Sequence, residues 1–201
     1  MADHFSQKAD DWDVNDRIRQ LSGAIGAAIL ENVPLDETMS VMDFGAGTGL
    51  ISARVAPHVA RIVAVDTSQS MLEKLAAKPE FHGKVEPVCQ DITERPLEAR
   101  FDLIVSAMAM HHVQDTARLI QRFAEHLRPG AQVALADLDS EDGTFHPEDT
   151  QGVFHHGFAR DELQALLEAH GFEEVRYITA HTVSKEEGDY PIFLVTARKS
   201  A

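Results

Sequence analysis

The chain has 201 residues, of which 44% are hydrophobic and 25% charged. That is ordinary globular usage, enough to close one core without a metal or disulfide staple, and it excludes a disordered or low-complexity chain. Thirty-three acids against eighteen Lys and Arg give a net charge of −15, which repels phosphate backbones and anionic lipid, so neither nucleic acid nor membrane is expected as a partner. The single cysteine, Cys89, excludes an internal disulfide framework and points to a reducing compartment. With no apolar run of membrane-spanning length and no basic-then-apolar leader in Met1-Ala2-Asp3-His4, the expectation is one cytoplasmic domain over residues 1–201.

In chain order, Ile18, Leu21, Ile25, Ala28 and Ile29 recur at helical spacing, predicting a helix from about Asn15 to Glu31 that ends at Asn32 and Pro34. Short β-branched runs predict strands at Ser40–Phe44, Arg61–Val65, Lys84–Cys89, Phe101–Ser106, Gln132–Asp137, Glu173–Thr179 and Ile192–Ala197. Between them, Ile120, Phe123, Ala124 and Leu127 form a helical stripe stopped by Pro129-Gly130. Leu163, Leu166, Leu167 and His170 form another, with Gly171 placed as a left-handed cap. Alternating strands and helices imply parallel β-α units over one sheet buried on both faces. The last two strands have only the polar stretch Ser184–Asp189 between them, too short for a parallel crossover, so one strand near the C-terminal edge runs antiparallel.

One segment breaks the alternation. From Asp139 to Phe158 the chain is polar, with Phe145, Phe154 and Phe158 and the histidines His146, His155 and His156; a long irregular segment of this kind reads as a lid over a binding site.

The densest local signal is Val41-Met42-Asp43-Phe44-Gly45-Ala46-Gly47-Thr48-Gly49. It ends a strand and opens a helix expected to begin near Thr48, a setting in which glycines let a ligand approach bare backbone and helix-start N–H groups. Asp43 stands two residues before the first glycine, where it would repel a pyrophosphate and favour an ammonium or sulfonium. Asp66 ends the second strand, where an acid can accept ribose hydroxyl protons, and Asp91 follows the third, where it could accept from an adenine amino group. All three acids are expected on one crevice at the strand C-termini. Read instead as a nicotinamide dinucleotide fingerprint, the spacing fails, because Leu50 replaces the third glycine and Asp43 has the wrong charge.

These residues resemble the class I S-adenosylmethionine-dependent methyltransferases over nearly the whole chain, from Trp12 to the final strand. The acid-x-Gly-x-Gly-x-Gly signature falls on Asp43 to Gly49, the ribose acid on Asp66 and the adenine-side acid on Asp91. Phe101–Val113 is similar to the small-molecule branch of ubiquinone and menaquinone C-methyltransferases. The resemblance implies an α/β, Rossmann-like, seven-stranded, mostly parallel sheet with helices on both faces and an antiparallel C-terminal strand. It implies S-adenosylmethionine as cofactor, with S-adenosylhomocysteine as product, held by Asp43, Gly45, Ala46, Gly47, Gly49, Asp66, Thr67, Met71, Asp91, Ile92 and Ser106. Residues 1–33, with Phe5 and Trp12, would cover the donor site, and residues 139–158 the acceptor.

Methyl transfer is an in-line displacement, and a base is needed only if the nucleophile arrives protonated. In Ser106-Ala107-Met108-Ala109-Met110-His111-His112-Val113, His111 and His112 are the candidate bases, while Met108 and Met110 are expected to pack. No Asn-Pro-Pro-aromatic loop follows the fourth strand, so amide and exocyclic amino nitrogens are disfavoured as acceptors. Ser106 stands where catechol-type enzymes place a metal-binding acid, and no zinc spacing is present, so no metal is expected. What remains is a small-molecule O-, S-, C- or amine acceptor, turned over by a monomer or homodimer. The alternatives are a non-catalytic S-adenosylmethionine-binding regulator and a protein or RNA methyltransferase.

Overall fold

The computed structural model describes residues 12–147 and 150–200; Phe5 and the Met1–His4 start, named above, lie outside them. Seven strands form one sheet: β1 (Ser40–Phe44), β2 (Arg61–Asp66), β3 (Val85–Cys89), β4 (Phe101–Ala107), β5 (Leu127–Leu138), β6 (Phe172–Ser184) and β7 (Asp189–Lys199). Their order is β3-β2-β1-β4-β5-β7-β6. Pairs among β1 to β5 are parallel, and β7 alone runs antiparallel, inserted between β5 and β6. The expected reversed strand is therefore β7, one place in from the edge. The chain winds outward from β1 to β3 and then returns to lay β4 beside β1, creating a switch point at the C-terminal ends of those two strands.

Side-chain alternation along each strand divides the core. Val41, Ile62, Leu103, Ala134 and Leu194 face one layer, against α1 (Asp16–Asn32), α2 (Leu50–Val55) and α3 (Gln69–Ala76). Met42, Val63, Ile104, Val133 and Phe193 face the other, against α4 (Thr116–His126) and α5 (Arg160–Ala169). In α4 Leu119, Ile120 and Phe123 are buried and Asp115 caps the first turn by accepting from the Arg118 N–H at 2.8 Å. Gly171, at φ 82°, follows α5 in the left-handed conformation expected of it.

Three local departures have physical causes. The helix after the glycine loop starts at Leu50 rather than near Thr48, because Gly49 takes φ 87° and serves as its cap. Helix α3 is not among the expected elements; only Met71, Leu72 and Leu75 are buried along its two turns, too few to declare a period. Strand β6 runs five residues past Thr179, and its register slips between Glu173 and Arg176 and again between Thr179 and His181. These bulges, with Glu174 at φ 54°, scramble the alternation that would have marked the strand.

Asp43, one residue before the end of β1, points toward α2. Its carboxylate is 1% exposed and accepts from the Ser52 hydroxyl at 2.6 Å. Burial pushes its pKa up to about 7, only partly offset by the Ser52 hydrogen bond, and the nearby Asp66 charge adds to the rise.

The 139–158 segment, apart from Glu148 and Asp149, which lie outside the described residues, is pinned at its neck. Asp139 bridges Phe158, the Phe158 N–H donates to the Leu138 carbonyl at 2.9 Å, and the Ser140 N–H to the Phe158 carbonyl at 3.1 Å. Arg160 grips Asp139 through two hydrogen bonds of 2.7 and 2.6 Å. Gly157, at φ 74°, lets the two limbs touch, since a Cβ there would fall 2.1 Å from the Asp139 carbonyl oxygen. Gly157→Ala is therefore expected to force the limbs apart and cost about 1–3 kcal/mol, read as a lower urea midpoint with faster amide exchange at Ser140 and Phe158; an unchanged midpoint and exchange pattern would refute the pinned neck.

Asp43 generates a second expectation. Its folded pKa lies above the unfolded value of 3.8, so between roughly pH 4 and pH 7 the folded chain retains a proton that the unfolded chain has lost. Its contribution to stability thus falls as pH rises through that window and levels off above it. Asp43→Asn lacks this slope, so the variant should gain on the parent by an amount on the order of a few kcal/mol between pH 5 and pH 8; parallel stability curves would contradict the assignment.

Candidate functional site

A cavity of about 1130 Å³ opens at the switch point. That exceeds the roughly 300–1,000 Å³ of an ordinary small-molecule pocket, leaving room for two molecules side by side. One side of its wall comes from the glycine loop, the ends of β2 and β3 and the start of α3. The other comes from the turn after β4, the 139–158 loop and the β6–β7 hairpin, and the N-terminal half of α1 lies along it. The apolar stripe of α1 is thus shared: Ala28 and Ile29 enter the core, Ile18 and Leu21 line the cavity, and Ile25 does both.

On the first side, the glycine loop is held by the end of β2. The N–H groups of Gly45 and Ala46 donate to the Val65 carbonyl at 2.8 and 3.1 Å, and that of Gly47 to Asp66 Oδ2 at 2.7 Å. These loop donors are spent on the protein itself. Asp66 also accepts from the Ser68 N–H at 2.8 Å, so its carboxylate shapes the loop as well as lining the cavity. At Gly47, with φ 55°, an added Cβ would meet nothing within 4 Å; its bare backbone faces open space. Asp91 accepts from the N–H and hydroxyl of Thr93 at 2.8 and 2.6 Å. Asp13 spans the front of the loop, accepting from the Thr48 hydroxyl at 2.5 Å and pairing with Lys78 at 2.7 Å.

Of the expected donor-site residues, Gly45, Ala46, Gly47, Asp66, Thr67, Met71 and Asp91 line the cavity, while Asp43, Gly49, Ile92 and Ser106 do not. Asp43 is turned away toward Ser52, so the three acids do not share one crevice: Asp66 and Asp91 do. Gly49 stands against Leu75 and Phe81, Ile92 is core, and Ser106 is fully buried in β4 with no hydrogen-bond partner for its hydroxyl among the described residues. An open glycine backbone, two carboxylates at adjoining strand ends and the apolar flank of Met71 fit a nucleoside with a cationic substituent.

On the second side, a buried carboxylate organises the chemistry. Asp137, at the end of β5 and 0% exposed, accepts from the N–H groups of Met110, His111 and Leu138 at 3.0, 3.3 and 2.8 Å. His111 Nδ1 stands 2.7 Å from Oδ1, the oxygen that also receives the Leu138 N–H. A carboxylate receiving this many donors acts as acceptor throughout, so His111 Nδ1 carries a hydrogen directed at it. His146, from the 139–158 loop, brings its Nε2 within 3.2 Å of His111 Nε2, completing a chain Asp137–His111–His146. Burial, helped by the neighbouring His111, His112 and Lys185, holds the His146 pKa down at about 4, so its ring is neutral.

His111 is 1% exposed yet contributes to the wall. His112 also lines the cavity, with Nδ1 2.7 Å from the Gly152 carbonyl. His155 fastens the same loop limb, its Nε2 2.9 Å from the Val113 carbonyl, and the Phe154 N–H donates to the His111 carbonyl at 3.0 Å. Met110 packs in the core as expected, but Met108, at φ 55°, lines the cavity. Among the described residues no His, Cys, Asp and Glu group has metal-site geometry. Sequence reasoning missed His146 and Asp137 as partners of His111; the only signal was a strand ending in an acid and a histidine-rich loop.

Comparison with known proteins accords with this geometry. A family model described as a methyltransferase domain matches residues 17–177. An uncharacterised methyltransferase of Schizosaccharomyces pombe is 32% identical over 59% of this chain and 48% of its own length, so the match spans about half of that relative. An O-methyltransferase of Aspergillus nomiae is 26% identical over 84% of this chain and 79% of its own. Among solved structures, N-methyltransferase NodS of Bradyrhizobium japonicum, in complex with S-adenosylhomocysteine, superposes with a TM-score of 0.75 at 16% identity, covering all of both chains. A chain from the complex of the Haloferax volcanii Trm112 methyltransferase activator with a methyltransferase gives 0.82 at 15% identity, again covering both in full. With the family model matched over most of its length and the seven-stranded sheet in place, this chain belongs to the class I S-adenosylmethionine-dependent methyltransferases.

Proposed function

We propose that the protein transfers a methyl group to a hydroxyl oxygen of a small molecule, with the Asp137–His111–His146 chain as its proton acceptor. The observation carrying this reading is that chain, because it runs from a buried carboxylate to the wall of a cavity large enough for donor and acceptor together. Gly45, Ala46, Gly47, Asp66, Thr67, Met71 and Asp91 would hold S-adenosylmethionine, which when bound supplies an electrophilic methyl on a cationic sulfur. The remaining donor-site candidates, Asp43, Gly49, Ile92 and Ser106, support that wall from behind.

The residues of the second side deal with the proton. In the neutral chain His146 donates from Nε2 to His111 Nε2, and His111 from Nδ1 to Asp137, leaving His146 Nδ1 as an acceptor on a ring that lines the cavity. A hydroxyl giving its proton to His146 Nδ1 drives the Nε2 proton onto His111, and the resulting imidazolium lies against Asp137, which stabilises the charge without itself being protonated. The oxygen is left with the electron pair for bonding to carbon. Such assistance is wasted on an acceptor that arrives unprotonated, which favours a hydroxyl over a thioether or a carbanion. Two relatives named as O-methyltransferases, from Aspergillus nomiae and Coxiella burnetii, add support. The net charge of −15 weighs against an RNA acceptor.

The test is a panel of hydroxylated small molecules incubated with radiolabelled methyl donor. With an acceptor in hand, His111→Ala should lower kcat by about 10²–10⁴-fold, and Asp137→Asn should also lower it by leaving His111 without its anionic partner, while calorimetric affinity for S-adenosylhomocysteine stays within error of the parent. A full-rate His111→Ala enzyme would remove the base role. Tight donor binding without transfer to any acceptor would favour the regulatory module instead.

A further inference from the structure

The charges on the cavity wall are unevenly placed. Asp66, Asp91 and Glu94 follow β2 and β3, on the donor side, and Asp115 caps α4, engaged with the Arg118 N–H. Of the Lys and Arg side chains on the wall, Arg17 is exposed on α1, whereas Lys185 comes from the β6–β7 hairpin on the acceptor side. Lys185 Nζ donates to the Phe145 carbonyl, lies 4.1 Å from the Phe145 ring centroid and 5.5 Å from that of Tyr190, and is close enough to His146 to help hold that ring neutral.

Among the described residues no carboxylate pairs with Lys185, although acids outnumber bases in the chain by 33 to 18 and Lys78, Arg122, Arg128 and Arg160 each have an acidic partner. An ammonium has three donors, and one is used on Phe145. Among the described residues the ammonium is therefore without a carboxylate partner, set against aromatic rings and within the acceptor half of the cavity. A neutral acceptor would leave that charge uncompensated, and a cationic one would be repelled by it. An anion with an apolar body satisfies both the charge and the rings.

We propose that Lys185 determines acceptor specificity by pairing with an anionic oxygen group, carboxylate or phosphate, carried on a ring-sized apolar acceptor. This rests on the methyl-transfer reading above and adds a charge to the acceptor named there.

Calorimetry of the full chain in excess S-adenosylhomocysteine tests it with benzoate, phenyl phosphate and benzyl alcohol, which share a ring and differ in charge. The parent should bind at least one of the two anions about tenfold or more tightly than the alcohol at low salt, as a charge-assisted hydrogen bond implies, and the preference should shrink as salt is raised. Whichever anion prevails tells carboxylate from phosphate. Lys185→Met should erase the preference and Lys185→Arg retain it. Equal binding of alcohol and anions, or no anion binding by folded protein, overturns the proposal. So does an equal loss for all three ligands in Lys185→Met, which would make the lysine only a strut between hairpin and loop. The readout needs no turnover: a protein that prefers anions but transfers no methyl refutes the methyl-transfer reading and leaves the anion site, whereas methylation of neutral hydroxyls alone refutes the anion site and leaves methyl transfer.

Discussion

A single buried carboxylate holds the acceptor side together. Asp137 cannot be taken out of water alone without a cost of several kcal/mol, and the fold meets that cost with three backbone N–H groups and one imidazole. Two of those N–H groups belong to Met110 and His111, in the turn that follows β4, so the same contacts that solvate the charge fix where that turn lies against β5. The Met108 N–H, bonded to the Ala136 carbonyl at 2.9 Å, marks the point where the turn leaves the sheet. His111 then has no freedom of tautomer or orientation. Its backbone carbonyl receives the Phe154 N–H, so the far limb of the 139–158 loop is laid down on the same turn.

The donor side is organised on the same plan by a different group. There the end of β2, through the Val65 carbonyl and the Asp66 carboxylate, collects the N–H groups of the glycine loop. The two constructions meet at the switch point: a Cβ on Gly45 would fall 2.2 Å from the Ala109 Cβ. The glycine is required there because the turn bearing the histidines packs directly on the loop that faces the donor. Displacing either one presses on the other, so close packing fixes the histidine-bearing turn against the glycine loop.

How much of this could be read beforehand follows from the range of each interaction. Strand β1 has its expected limits, and β2 and β4 gain a single residue at their ends, because a doubly covered strand writes itself as a short apolar run. Asp66 and Asp91 could be placed on the cavity since they end adjoining strands. Asp43 could not, since whether a penultimate strand residue faces the ligand or the helix behind depends on how that helix packs, and Ser52 decides it here. Asp137 reads in sequence as the polar end of an apolar strand, and His146 as one of several loop histidines. Their partnership with His111 spans 26 and 35 residues of chain and exists only once β4, β5 and the loop are assembled. Lys185 sits among acids in sequence, and among the described residues none of them pairs with it, which only the assembled hairpin shows.

The 139–158 loop therefore has two distinct jobs done by different residues. Glu141 accepts from the N–H groups of Gly143, Thr144 and Phe145 at 2.9, 2.8 and 3.0 Å, curling the near limb on itself, and Tyr190 ties Thr144 to β7 at 2.6 Å. That curl delivers Phe145 to Lys185 and the next residue, His146, to His111. Neighbours in sequence thus face Lys185, proposed to pair with an acceptor's charge, and His111, the next member of the proposed proton relay. A neutral His146 suits this position, because a charged imidazolium there would be repelled by Lys185 and could not accept a proton. Burial that keeps it neutral down to about pH 4 is consequently what the proposed pairing of a binding cation with a neighbouring base requires.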